Sequence, residues 1–204
     1  MRSETASRIL TIAAEVGVLR PRDLVSRGIR REVASVWLGR LSRQGLLRRS
    51  ARGLYILPAS EPTEHHTVAQ VCKRIPRGVV CLISALRFHE LTTQMPFEVW
   101  LAVDRKARRP VVSDLPVRIV RFSGAALDSG VEEHTIEGVP VRVFSPEKTV
   151  ADCFKYRHKY GLDVAIDALR DCLRKRTGSV DEIWRHAKIC RVANVMRPYL
   201  EAMA

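Results

Sequence analysis

The sequence predicts an α+β chain in two parts. The first is a small helical module with a hairpin, residues 1–60. The second is a mixed α/β C-terminal domain, residues 61–204, with a sheet-containing stretch at about 64–144 and a helical bundle at about 145–204. Three observations carry this reading. Apolar residues recur with a helical period at both ends of the chain, they alternate with period two in the middle, and a polar segment containing Pro58, Ser60, Pro62 and Thr63 separates the two parts.

Ser3 to Val16 sets Ala6, Ile9, Ala13 and Val16 on one face, and Gly17 closes the helix. Pro21 opens a short second helix that ends at Gly28. A third helix follows Ile29, with Val33, Trp37, Leu38 and Leu41 along one side. Arg30, Arg31, Ser35, Arg40 and Arg43 fall largely outside that stripe. Gly45 is the left-handed stop. Leu46 to Arg49 and Leu54 to Leu57 then read as two strands joined by Ser50, Ala51, Arg52 and Gly53. Helix, short helix, longer helix and basic hairpin make the pattern of a winged helix-turn-helix.

The charge fits that pattern. The chain has 35 basic and 22 acidic residues, a net +13; residues 1–60 hold twelve arginines, no lysine and four acids, so +8 lies in the first third. An arginine-rich genome would explain arginine in place of lysine, but not a threefold excess over acids. Guanidinium groups bind phosphate oxygens and guanine edges in pairs of hydrogen bonds, and a helix fits the major groove of B-DNA. Arg30, Arg31 and Ser35 stand where a recognition helix meets base edges, with Arg40 and Arg43 further along it. Arg48, Arg49 and Arg52 suit phosphate or the minor groove.

In the second part, Thr67 to Arg74 and the apolar run Val79 to Leu91 are expected helices. Glu98 to Val103 and Val117 to Phe122 alternate like half-buried strands, and Glu132 to Ile136 with Val139 to Phe144 form a hairpin turning at Glu137 and Gly138. Together they predict a mainly antiparallel or mixed sheet flanked by helices. Arg105, Lys106, Arg108 and Arg109 make a second basic patch in a loop. Ser145, Pro146 and Glu147 start a helix expected to reach Tyr160, with Gly161 as its stop. The next helix ends at Gly178, Ser179 and Glu182 cap another, and Pro198 should kink or divide the last.

The five cysteines lack a CxxC pair, so no disulfide framework, metal or cofactor is expected, and the three that lie in predicted amphipathic helices are expected to pack as small apolar side chains. His65 and His66 are adjacent but have no third ligand at suitable spacing. Trp37 and Trp100 read as core residues, and His89 as a hydrogen-bonded boundary group. No transmembrane run or signal peptide is evident, which places the protein in the cytoplasm and off the membrane. Catalysis is not expected. Ser145 and Lys148 form an S-x-x-K string without its partner motifs, and Glu98, Asp104 and Lys106 are only a faint metal-dependent nuclease pattern.

The winged module ending RGLYILP, the helix CLISALRFHELT, the strand EVWLAV, the hairpin running into SPEKTVADCFKYR (Ser145 to Arg157) and the helical tail together resemble the AbiEi-type antitoxins of type IV toxin-antitoxin and abortive-infection loci. The resemblance implies a sequence-specific autorepressor that binds double-stranded DNA in its own operon promoter; the sequence leaves the oligomeric state open between a monomer and a weak dimer on DNA. It also implies a functional link to a nucleotidyltransferase-like toxin, generally without a stable complex. By position it assigns Arg30, Arg31, Ser35, Arg40 and Arg43 to the recognition helix and Arg48, Arg49 and Arg52 to the wing. Lys148, Lys155 and Arg157 match the motif as antitoxicity candidates. An antitoxin that holds its toxin directly is the alternative, and a nuclease the next.

Overall fold

The structure, a computed structural model, describes residues 2–203, with side chains from residue 4 onward. It is mixed α+β, with eleven helices and two sheets among the described residues. The chain divides into two compact units. One comprises Met1–Arg74, Val112–Leu115 and Thr135–Val141; the other comprises Ile75–Val111, Pro116–His134 and Arg142–Ala204. The first therefore extends beyond the 1–60 module and takes in a further helix and two distant segments.

In the first unit α1 (Arg2–Val16), α2 (Pro21–Ser26) and α3 (Arg31–Arg43) are followed by the hairpin β1 (Arg48–Ala51) and β2 (Leu54–Ile56), and then by α4 (His66–Arg74). The order is consistent with a helix-turn-helix. Ile9, Ile12 and Ala13 of α1, Leu24 of α2, and Ala34, Leu38 and Leu41 of α3 share one core. Each fully buried leucine there contributes about 1.5–3 kcal/mol. The end of α3 is a Schellman turn: Gly45, at φ +72°, donates to Ser42 O and Leu46 N donates to Leu41 O. Leu47 N also turns back to Leu41 O. These two amides are spent on the helix end, so β1 begins two residues later than Leu46. Ser50 and Ala51 accordingly lie in the strand, and the turn shrinks to Arg52 and Gly53. Leu19 exchanges both backbone hydrogen bonds with Tyr55 and so adds a third short edge to the hairpin.

The second unit is built on β3 (Val79–Val80), α5 (Leu82–Phe88), β4 (Val99–Asp104), β5 (Val117–Phe122), α6 (Ala125–Asp128), and the hairpin β6 (Val131–Ile136) and β7 (Val139–Phe144). The hairpin's outer residues belong to the first unit. The sheet order is β5-β4-β3-β7-β6; β4 with β5 and β3 with β7 run parallel, and β3 with β4 antiparallel. The expected helix from Val79 is thus corrected. Val79 and Val80 are a central strand, and the chain enters α5 through buried Leu82 at φ +52°. An uninterrupted apolar run carries no period that could separate a buried strand from a buried helix.

The helical end consists of α7 (Pro146–Lys155), α8 (Arg157–Tyr160), α9 (Leu162–Arg174), α10 (Val180–Cys190) and α11 (Ala193–Met203). Helix α7 packs on α5, α9, α10 and α11 around Phe144, Phe154, Leu169, Ile183 and Met196. The Ser145 hydroxyl caps α7 by accepting from Lys148 N, and Ser179 caps α10 by accepting from Glu182 N. Three expected ends shift. Helix α7 stops at Lys155, because Tyr156 at φ −100° and ψ 15° leaves helical geometry; α8 then runs to Tyr160, Gly161 at φ +101° is the stop, and the Arg157 guanidinium donates to the Phe154 carbonyl at 2.9 Å. Helix α9 stops before Arg176, which adopts φ +54° in place of the expected Gly178. Pro198 sits inside an undivided α11. It and Asn194 are both exposed, so the carbonyl that loses a partner can be solvated.

Candidate nucleic-acid interface

Arg30, Arg31, Ser35, Arg40, Arg43, Arg48, Arg49 and Arg52 are all exposed. Among the described residues no ion pair joins any of these seven arginines to a carboxylate. The reason is local: the face of α3 that buries Ala34, Leu38 and Leu41 turns Arg31, Ser35 and Arg40 to solvent. Val36, 65% exposed, adds an apolar contact on the outer face, and Glu32 is the one acid on the helix. Trp37 is half-buried against the core, and the Arg40 guanidinium lies 5.2 Å from its ring centroid, which steadies that side chain. Arg43 donates to Gly39 O at 3.4 Å.

The turn from α2 into α3 is tight. Gly28, at φ +83°, donates to Val25 O, and Ile29 N donates to Leu24 O. Arg20, at the start of α2, donates its amide to Asp23 Oδ2 at 2.8 Å. A groove of about 460 Å³ is lined by Arg20, Arg22 and Val25 beside α2, by Arg31 of α3, and by Arg52 and Arg74. Burial lowers the pKa of the Arg20 guanidinium from its ordinary value despite neighbouring Asp23, and its Nε has no protein partner.

The wing is held from behind by residues that its own sequence does not announce. Arg52 N donates to Asp114 Oδ2 at 2.8 Å, Arg74 pairs with Asp114 at 3.0 Å, and Arg74 also donates to the Arg52 carbonyl. Ser50 lies 3.1 Å from His66 Nε2 and accepts from Gln70; His66 Nδ1 lies 2.6 Å from Glu137 Oε2. Thr63 donates to Glu137 through both its amide and its hydroxyl. His66 is therefore a half-buried hub that links Ser50 and Gln70 to Glu137. Sequence reasoning missed Arg20, Arg22, Arg74, Asp114, Gln70 and Glu137. Only Arg20 and Arg22, flanking Pro21 in a basic stretch, carried a local signal.

In the second unit the basic residues separate into different environments. Arg105, Lys106, Arg108 and Arg109 are exposed after β4, where Asp104 accepts from Lys106 N at 2.6 Å. Lys148, grouped by sequence with Lys155 and Arg157, is fully buried. Its Nζ is 2.5 Å from Asp152 Oδ2 and 4.1 Å from the Phe144 ring centroid. Its spacing from Asp152, four residues along α7, places both on the core side. Lys155 is exposed and Arg157 half-buried. Trp100 is half-buried with Arg118 stacked at 4.7 Å, and His89 Nε2 meets Phe144 O at 2.7 Å. All five cysteines are free and buried.

A helical module with a basic outer face and a braced basic hairpin presents a surface suited to a polyanion. Residues 7–58 match the family model described as transcriptional regulator, AbiEi antitoxin. The resemblance read from the sequence thus holds for this segment; the match does not extend to Ser145 to Arg157. No curated protein matches the chain. Among solved structures, the crystal structure of RV2827C protein from Mycobacterium tuberculosis superposes with a TM-score of 0.56 at 16% identity, covering 97% of this chain and 80% of that one. That likeness is one of fold. No helix among the described residues is long and apolar enough to cross a membrane.

Proposed function

We propose that this protein is a sequence-specific DNA-binding autorepressor acting as the antitoxin of a type IV toxin-antitoxin locus. In this reading residues 1–60 form a winged helix-turn-helix that binds the promoter of the protein's own operon. Residues 61–204 serve the antitoxin role, and the protein works in the cytoplasm without catalysis. The observation that carries the reading is the set of seven exposed arginines without carboxylate partners, on a module whose residues 7–58 match the AbiEi regulator model. Arg30, Arg31 and Ser35 would meet base edges, and Arg48, Arg49 and Arg52 the backbone. Fluorescence anisotropy on a duplex from the upstream region tests it. Arg31→Ala with Arg40→Ala is expected to abolish specific binding while the circular dichroism spectrum stays unchanged, and undiminished binding would overturn the assignment.

A second reading, in which the C-terminal unit holds the toxin directly, is favoured by one observation. Met95, Phe97 and Val111 are 68%, 98% and 87% exposed. A stoichiometric complex with the toxin that survives high salt, and is lost with Phe97→Ser, would favour it over the first. The nuclease reading has less support, since Glu98 pairs with Arg118 and Asp104 holds the Lys106 amide.

A further inference from the structure

In the second unit a cleft of about 660 Å³ is lined by Arg121, Lys155, Arg157 and Arg191, and no carboxylate is among its lining residues. Four cations from three separate stretches of the sequence converge here: Arg121 at the end of β5, Lys155 and Arg157 at the junction of α7 and α8, and Arg191 just after α10. Two of the guanidiniums are fixed by backbone. Arg121 Nη1 donates to Asp104 O at 2.7 Å and Ala107 O at 2.8 Å, and Arg157 Nη1 donates to Phe154 O at 2.9 Å. Each keeps further N–H groups for a ligand, because a guanidinium carries five. Arg191 is held in the left-handed region at φ +61°, ending α10 at the cleft rim.

The floor adds no compensating charge. Cys190 lines the cleft and donates its thiol to Asp152 Oδ1 at 3.2 Å, and Asp152 is itself paired with buried Lys148. The cleft lining therefore carries four cations and no acid, and its volume falls in the range of small-ligand sites. Phe122 lines it but is only 3% exposed, so no aromatic platform is offered to a base. We propose that this cleft is a binding site for the polyphosphate moiety of a small molecule, with Arg121, Lys155, Arg157 and Arg191 as its ligands. Planar guanidiniums and a mobile ammonium suit a chain of phosphoryl oxygens. The proposal concerns the second unit and does not depend on the DNA-binding reading.

Isothermal titration of the full chain with inorganic tripolyphosphate, and separately with ATP, tests it. Saturable binding is expected, weakened about tenfold or more by Lys155→Ala and further by Arg157→Ala, in line with loss of a charge-assisted hydrogen bond. Arg191→Gly, which tolerates the left-handed backbone, should weaken it similarly. Arg170→Ala with Arg174→Ala, on the solvent-facing side of α9, should leave it unchanged. Lys155 is exposed, so its single variant keeps the test readable even if Arg157→Ala lowers the melting temperature. Equal affinities for the two probes would identify free polyphosphate chemistry as sufficient, and tighter ATP binding would identify a nucleotide. Absence of saturable binding at millimolar probe, or equal losses in the α9 control, would overturn the site. So would displacement of the probe by duplex DNA together with loss of DNA binding in Lys155→Ala, which would make the cleft a DNA-backbone contact.

Discussion

Lys148 and Asp152 show how little a residue's type says about its task. Both are fully buried, and burial pushes the Asp152 carboxyl up while the Lys148 ammonium beside it opposes the shift. Removing one partner strands the other in the core, so Lys148→Met is expected to cost about 3–5 kcal/mol in urea unfolding. Lys148→Met combined with Asp152→Leu should recover most of that loss, because an apolar pair avoids the desolvation of two charges. Glu137 behaves differently. Burial alone would raise its pKa, but hydrogen bonds from His66 and Thr63 outweigh burial and hold the carboxyl below its ordinary value of 4.5. A depressed carboxyl means that the unfolded chain takes up the proton first on acidification. Its contribution is therefore complete above pH 4.5 and is lost as pH falls through the lower folded value. Melting curves should show Glu137→Gln destabilised at pH 7, with the gap from the unsubstituted protein closing in acid.

At the scale of elements, α3 and its stop were legible because an amphipathic period and a single glycine specify them locally. The wing was legible as a hairpin, but its register was not. The α3 end consumes the amides of Leu46 and Leu47, a tertiary accounting that strand propensity does not include. Val79 and Val80 became a strand because β4 and β7 are there to pair with them. The end of α1 depends on an approach invisible in sequence. Gly17, at φ +60°, faces the Glu137 carbonyl so closely that a Cβ would fall inside it, and Gly138 lies against Val16 in return. Gly17→Ala is thus expected to destabilise the first unit by more than the roughly 1 kcal/mol typical of a left-handed glycine replacement, read as a lowered melting temperature.

For the whole molecule the relevant quantity is charge. The net +13 is concentrated in the first third, where exposed arginines face water without acids to neutralise them. If the proposed interface neutralises about five to seven phosphates, log affinity for duplex DNA should fall with log salt at a slope of roughly −4 to −6. Anisotropy titrations between low and moderate salt measure it, and a nearly flat dependence would remove the arginines from the interface. Reducing the slope by about one unit with Arg48→Ala would place that residue on a phosphate.

Sequence alone determined the helical module, the outward arginines, the capped starts of α7 and α10, and the Glu137–Gly138 turn, because each follows from short-range periodicity or backbone preference. Only the tertiary structure decided that Lys148 lies inside, that Asp114 and Arg74 brace the wing, that His66 is a half-buried hub, and that Arg121, Lys155, Arg157 and Arg191 share one cleft. Those relations join residues up to 71 positions apart, and side chains that far apart in a chain have no pattern to reveal them until packing brings them together.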